Sequence, residues 1–224
     1  MNPVRNSNGA LNPAAEQQGI ISNGVNVPKK EKRMGRKSLP PTTMLFPTPV
    51  VLVTCIDEKG KPNIITLAWA GVVNSDPPMI GISIRPNRYS YACVKKTKEF
   101  VVNLPSEEMV RKLDACGVLS GKETDKFASM GWKAIPAEKV KPPLIEECAV
   151  QMECEVKEVI SLGSHDLFLG QIVALHVKEE IQKEKGQIDI AKALPMVYCP
   201  GAREYWNLGK CIGYHGFTKG KPHS

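Results

Sequence analysis

Aromatic side chains make up only 6% of this 224-residue chain, so its core must rest on Val, Ile, Leu, Ala and Met. Histidine is scarcer still, with four residues, and no Ser-His-Asp arrangement is visible. The seven cysteines (Cys55, Cys93, Cys116, Cys148, Cys154, Cys199 and Cys211) are odd in number and contain no CxxC. That pattern excludes a secreted disulfide framework and points to free thiols in the cytoplasm. No apolar run reaches the roughly 18 residues of a membrane span, and the polar, Asn-rich N-terminus does not read as a secretory leader. Neither GxGxxG behind a strand nor GxxxxGK[ST] is present, which argues against a Rossmann or P-loop architecture.

What is present is a hydrophobic content of 42% with 24% charged residues, the composition of a globular protein with a sizeable core. The net charge of +7 is unevenly placed. Residues 1–41 hold seven Lys/Arg against Glu16 and Glu31, a net of +5, and the remainder carries only +2. The basic charge is therefore largely that of an aperiodic tail. We expect residues 1–38 to be a disordered basic tail, 39–217 a single domain, and 218–224 a short C-terminal tail.

Within the domain the pattern is mostly strand. Pro49–Ile56 reads as a buried-type strand, short and β-branched, and Asp57–Gly60 is a turn. A second apolar run follows from Asn63 to Val73, Asp76-Pro-Pro78 breaks it, and Met79–Arg85 alternates. Residues 87–96 and 124–130 read as short helices, with Tyr89, Ala92 and Cys93 on the apolar face of the first. Ser106 opens another helix that Gly117 can end. Val150, Met152, Cys154 and Val156 alternate with Gln151, Glu153, Glu155 and Lys157, predicting one buried and one wet face. Asp166–Val177 is apolar enough for a central, two-sided strand. Few and short helices favour a mainly β, closed antiparallel barrel.

The segment from Asn63 to Ser90 is the densest in chemistry. Its small residues between Thr66 and Gly71 allow a flat ligand close to the backbone. Arg85 and Arg88 then flank the start of a helix, where free N–H groups attract phosphate. The same residues also suit an ordinary hairpin followed by a surface helix. Cys211 and His215 are spaced like half a metal site without a second half, so no metal is expected. Trp69, Tyr205 and Trp206 suit either core packing or a ligand cover, and Cys154 and Cys199 read as buried thiols.

The ordered series PVVLVTCIDEKGKPNIITLAWAGVVNSDPPMIGISIRPNRYSY, EFVVNLP and HDLFLGQIVAL resembles the flavin reductase-like, FMN-binding split-barrel family, in particular its flavoredoxin branch, over roughly residues 40–217. The resemblance implies a six-stranded antiparallel split barrel and non-covalent FMN near a homodimer interface. It implies Thr66, Leu67, Ala68, Trp69 and Ala70 along the isoalloxazine, Ser83, Ile84 and Arg85 along the ribityl chain, and Arg88, Tyr89 and Ser90 at the phosphate. Asn103 and Lys126 are further candidates, and His165 would stand near the open flavin face or the partner subunit, the one candidate catalytic side chain. The activity implied is NAD(P)H-dependent flavin reduction, NADH or NADPH being a transient donor. The alternatives are a flavoredoxin-type electron carrier or ferric reductase served by a protein donor, and, from the basic tail and small barrel, a nucleic-acid-binding protein.

Overall fold

The computed structural model describes residues 35–219, apart from the side chain of Lys185. Residues 42–219 lie in one compact unit, and residues 35–41 fall outside it without helix or strand. The expectations for a basic tail and for the last residues lie mainly outside the described residues.

Chain order explains how the sheet is made. After the two-residue β1 (Thr48–Pro49), β2 (Val51–Ile56) and β3 (Pro62–Leu67) form a hairpin around the Asp57 turn. Next come β4 (Ala70–Ser75) and β5 (Pro78–Ile84), a second hairpin. The expected single run from Asn63 to Val73 is thus two strands, broken at Ala68-Trp69. Helix α1 (Tyr89–Thr97) leads to β6 (Glu99–Leu104), and α2 (Val110–Val118) and α3 (Lys126–Met130) follow. The short pair β7 (Ala134–Ile135) and β8 (Leu144–Ile145) precedes the long strands β9 (Val150–Ser161) and β10 (Asp166–Val177). A one-turn α4 (Ile190–Ala193) then leads to β11 (Met196–Cys199) and β12 (Glu204–Asn207), which with β1 make a small sheet.

The main sheet runs β3-β2-β6-β9-β10-β5-β4, with every neighbouring pair antiparallel. Its two edge strands, β3 and β4, are consecutive in sequence with only Ala68 and Trp69 between them. From Leu67 to Ala70 the chain takes three Cα steps, at most about 11 Å fully extended, so the sheet must curl until its edges nearly meet. The Ser83 N–H donates to the Trp69 carbonyl (2.9 Å) and carries the β4–β5 ladder into that seam. This is a mainly β split barrel, as expected. Its continuous sheet has seven strands because the broken run supplies two.

Strand β2 is buried at all six positions because its two faces serve two cores. Val51, Val53 and Cys55 enter the barrel with Ile82, Phe100 and Phe168. Leu52, with Val50 just before the strand, packs outward with Leu113, Phe127, Trp132 and Met196 under α2, α3 and β11. Gly170 is required by the barrel interior, since a Cβ there would lie 2.8 Å from Phe100 Cε1.

Several sequence expectations need correction. Helix α1 buries Ser90, Cys93 and Val94, whereas Ala92 is exposed. Helix α2 follows a 3-10 turn after Ser106 and passes through Gly117 to Val118, because Gly117 is used for a close approach to Thr66. Strand β10 is central, but Leu175 on it is exposed. Cys154 is buried while Cys199 is only half-buried.

The expected wet face of β9 fails at Gln151 and Glu153, both buried. The Gln151 amide donates to the Ile145 and Cys148 carbonyls. The Glu153 carboxylate, fully buried, accepts from the N–H groups of Glu138, Lys139 and Val140 and from His176 Nε2 at 2.6 Å. Burial pushes this carboxyl up, but those donors outweigh it and hold it below the ordinary carboxylate range. Alternation fails here because a loop brings its own donors over the strand.

Glu153→Gln should therefore lower stability by about 2–3 kcal/mol in urea unfolding, since an amide turns a donor toward donors. The carboxyl's folded pKa is depressed, so its contribution is present above the ordinary carboxylate range. It is lost as pH falls through the lower folded value. The difference between wild type and variant should shrink on acidification.

Candidate functional site

The seam between β3 and β4 opens into a cleft of about 410 Å³, within the size range of small-ligand sites. Ile65, Thr66, Leu67, Ala68 and Trp69 form one wall, Ser83, Arg85 and His165 another, and Gly117 and Val118 of α2 a third. Asp114, Tyr198 and Tyr205 line it as well, and the Tyr205 hydroxyl donates to Asp114 Oδ1 (2.9 Å). Where the strand breaks, the sheet ladder stops. The N–H groups of Ala68 and Trp69 have no hydrogen-bond partner among the described residues, although the Trp69 carbonyl does. These are main-chain donors exposed beside apolar side chains, a surface for a flat ligand with acceptor atoms on its edge.

A smaller cavity of about 210 Å³ shares Ile65, Arg88 and Gly117 with the cleft. It lies at the N-terminus of α1 and is lined by Asn87, Tyr89, Ser90, Ser120, Gly121 and Lys126, with Asn63. Arg88 is the N-cap of α1 in extended conformation and makes no side-chain cap. Lys126 is only 3% exposed, and its Nζ donates to the Ile64 and Cys116 carbonyls, both at 2.7 Å, with no carboxylate partner among the described residues. Burial pulls this amine below the ordinary lysine range, and Arg88 adds to that pull. A buried cation beside an arginine and a helix N-terminus is costly without an anion to offset it.

The walls of this cavity are fixed by contacts. Asn63 Nδ2 donates to Ser90 Oγ (2.7 Å), and the Tyr89 hydroxyl donates to Asp57 Oδ2 (3.0 Å). Burial and then Asp57 push Tyr89 up to about 12, so it stays a donor. A Cβ at Gly121 would overlap Asn63 Oδ1 and the Tyr89 ring. The Thr66 hydroxyl donates to the Leu113 carbonyl (2.5 Å), tying α2 to the cleft wall.

Most residues singled out in the sequence therefore converge. Thr66, Leu67, Ala68, Trp69, Ser83, Arg85, Arg88 and His165 share the cleft, and Arg88, Tyr89, Ser90 and Lys126 share the smaller cavity. Three do not. The Ile84 side chain is in the barrel core, and Ala70 packs on that core while facing a different surface depression. Asn103 is fully buried, donating to the Leu52 carbonyl and accepting from the Ile145 N–H, away from both cavities. His165 bonds Ser164 Oγ through Nδ1 (2.9 Å), and its ring lies parallel to Trp69 within 7° at 6.3 Å. Burial, then the Arg85 charge, hold it below the ordinary imidazole range, so the ring is neutral at neutral pH. Missed in the sequence were Asp114, Gly117, Tyr198, Ser120 and Gly121. Only the SGK triplet at 120–122 carried a signal, a small loop beside a lysine.

Among known proteins, a family model described as flavin reductase like domain matches residues 43–207. An uncharacterized protein of Pyrococcus abyssi is 36% identical over 137 residues, covering 61% of this chain and 78% of its own. The solved structure of flavoredoxin of Desulfovibrio vulgaris (Miyazaki F) superposes with TM-score 0.78 at 35% identity, covering 83% of this chain and 100% of its own. That of an FMN-binding protein from Thermus thermophilus, with bound 1-cyclohex-2-enone, gives TM-score 0.65 at 25% identity, covering 79% and 95%.

Anion binding in the smaller cavity should fail earlier on the alkaline side than an ordinary lysine would impose. The Lys126 amine, with its lowered pKa, is charged below that value and loses its proton as pH rises through it. Protection of the protein by inorganic phosphate in thermal melts, followed against pH, checks this. In Lys126→Met the protection should be weak at every pH.

Proposed function

The chain belongs to the flavin reductase like domain family, and on that premise we propose that it binds FMN non-covalently and acts as an oxidoreductase. In this reading NADH or NADPH is the donor, and free flavin or another small acceptor is the recipient. The observation that carries it is the pairing of unpartnered main-chain donors at the β3–β4 seam with an anion cavity one side chain further on. That order suits a flat acceptor-edged ring system, a polar chain and a terminal phosphate.

The residues present fit the group. Thr66–Trp69 would lie along the rings, Ser83 beside the ribityl chain, and Arg88, Ser90, Lys126 and the α1 N-terminus around the phosphate. Bound FMN supplies the hydride and electron chemistry, so the protein needs no nucleophile. Its side chains bind, orient and exclude water. Leu67 and Ile65 keep the ring wall apolar, Asn63 and Tyr89 hold the phosphate cavity open, and neutral His165 offers a ring nitrogen at the open side.

The flavoredoxin likeness over that protein's whole length favours a second reading, an electron carrier served by a protein donor. Seven free thiols support a reducing, cytoplasmic setting. No helix among the described residues is long and apolar enough to cross a membrane. For the expected homodimer, the face to join is the outer side of β4, β5 and β10. There Val73, Leu167 and Leu169 gather over Gly81, with Ile160 paired beside Leu167.

Anaerobic absorbance tests the function. Purified protein loaded with FMN should show flavin bands that bleach on adding NADH or NADPH. Bands that bleach only with dithionite would favour the carrier, and no uptake of FMN would sink both readings. Riboflavin should bind about 100-fold more weakly than FMN, and Lys126→Met should narrow that gap. Sedimentation should give a dimer that Val73→Glu converts to monomer with its far-ultraviolet circular dichroism intact.

A further inference from the structure

Two arginines border the site, and the cofactor phosphate accounts for one of them. Arg88 lines the anion cavity with Lys126, Ser90 and Ser120, whereas Arg85 lines only the larger cleft. Among the described residues the Arg85 side chain has no hydrogen bond or ion pair, and none of the seven ion pairs includes it. The one carboxylate in the cleft, Asp114, is engaged by the Tyr205 hydroxyl. The rings and ribityl hydroxyls of an oxidised flavin are neutral, so in that state only the phosphate of the cofactor calls for a guanidinium.

Beside Arg85 are the two parallel rings of Trp69, 40% exposed, and His165. Arg85 lies near enough to His165 for its charge to help hold the imidazole neutral. Flat ring surface next to a guanidinium without a partner among the described residues is a site for a small compound that carries an anionic group.

We propose that Arg85, with Trp69 and His165, forms a second anion subsite that selects a small, negatively charged redox partner, phosphate- or carboxylate-bearing, for the flavin. The proposal rests on the FMN reading above and assigns Arg85 to the partner instead of to the cofactor.

The test uses the FMN-loaded protein, reduced with dithionite and reoxidised in a stopped-flow instrument at low ionic strength. The probes are trianionic ferricyanide and tricationic hexaammineruthenium(III). Two oxidant ions each accept one electron from the reduced flavin, and the protons released pass to buffer. The ratio of the ferricyanide rate to the ruthenium rate should fall about tenfold in Arg85→Gln and be largely retained in Arg85→Lys. Added salt should compress the wild-type ratio.

An unchanged ratio in Arg85→Gln would overturn the proposal. So would an Arg85→Gln variant in which FMN affinity drops at least tenfold while riboflavin affinity holds, because the guanidinium would then belong to the cofactor phosphate. If wild-type protein takes up no FMN, the flavin reading falls first and the subsite with it, an outcome visible before any oxidant is added.

Discussion

Two residues, Ala68 and Trp69, join strands at opposite edges of a seven-stranded sheet, and the rest of the molecule follows from that tether. A flat sheet of this order would hold β3 and β4 about six strand spacings apart, some 28 Å, far beyond the reach of the link. The sheet has to close. The closing segment cannot pair on both sides, so its N–H groups are left facing a cleft. The barrel and the cleft are one solution to one constraint.

Charge is arranged around the same seam. A lysine that is almost fully buried without a carboxylate is an unfavourable element in isolation. Here the Ile64 and Cys116 carbonyls orient it, and the cavity it borders also holds Arg88 and the start of α1. The fold tolerates this cost at a place where a bound anion would offset it. Glu153 is the opposite case. It is equally buried, but the loop at 138–140 and His176 satisfy it internally, so it contributes to folding and leaves nothing for a ligand.

Much of this was legible in the sequence. Apolar strand runs, the Asp57 and Asp76-Pro77 turns and the helix after Arg88 each have a local cause, and local causes leave local patterns. The convergence of Thr66–Trp69 with Arg85, Arg88 and His165 was legible through the ordered family-like segments. Long-range partners were not. Nothing near Glu153 in sequence announces that a distant loop will cap it, so its alternation with Cys154 reads as a wet face. Asn103 closes a strand in a position that suits a ligand contact, yet it ties β2 to Ile145 in the core. Gly117 reads as a helix stop, because the need to approach Thr66 is visible only in three dimensions.

The strand order also sets a sequence of events. The hairpins β2–β3 and β4–β5 are local and tied to one another, so they can form from neighbouring chain alone. Strands β6, β9 and β10 then have to enter between them, through pairings such as Leu52 with Asn103 and Ile84 with Asp166. Pairings this distant along the chain form slowly, because loop-closure entropy is lost before contacts are gained. The cleft has its full set of walls only once β10 brings His165 up to Trp69. The cleft wall that carries His165 is therefore among the last parts of the molecule to come into being during folding, whereas the cavity at the start of α1 draws on no residue of β9 or β10.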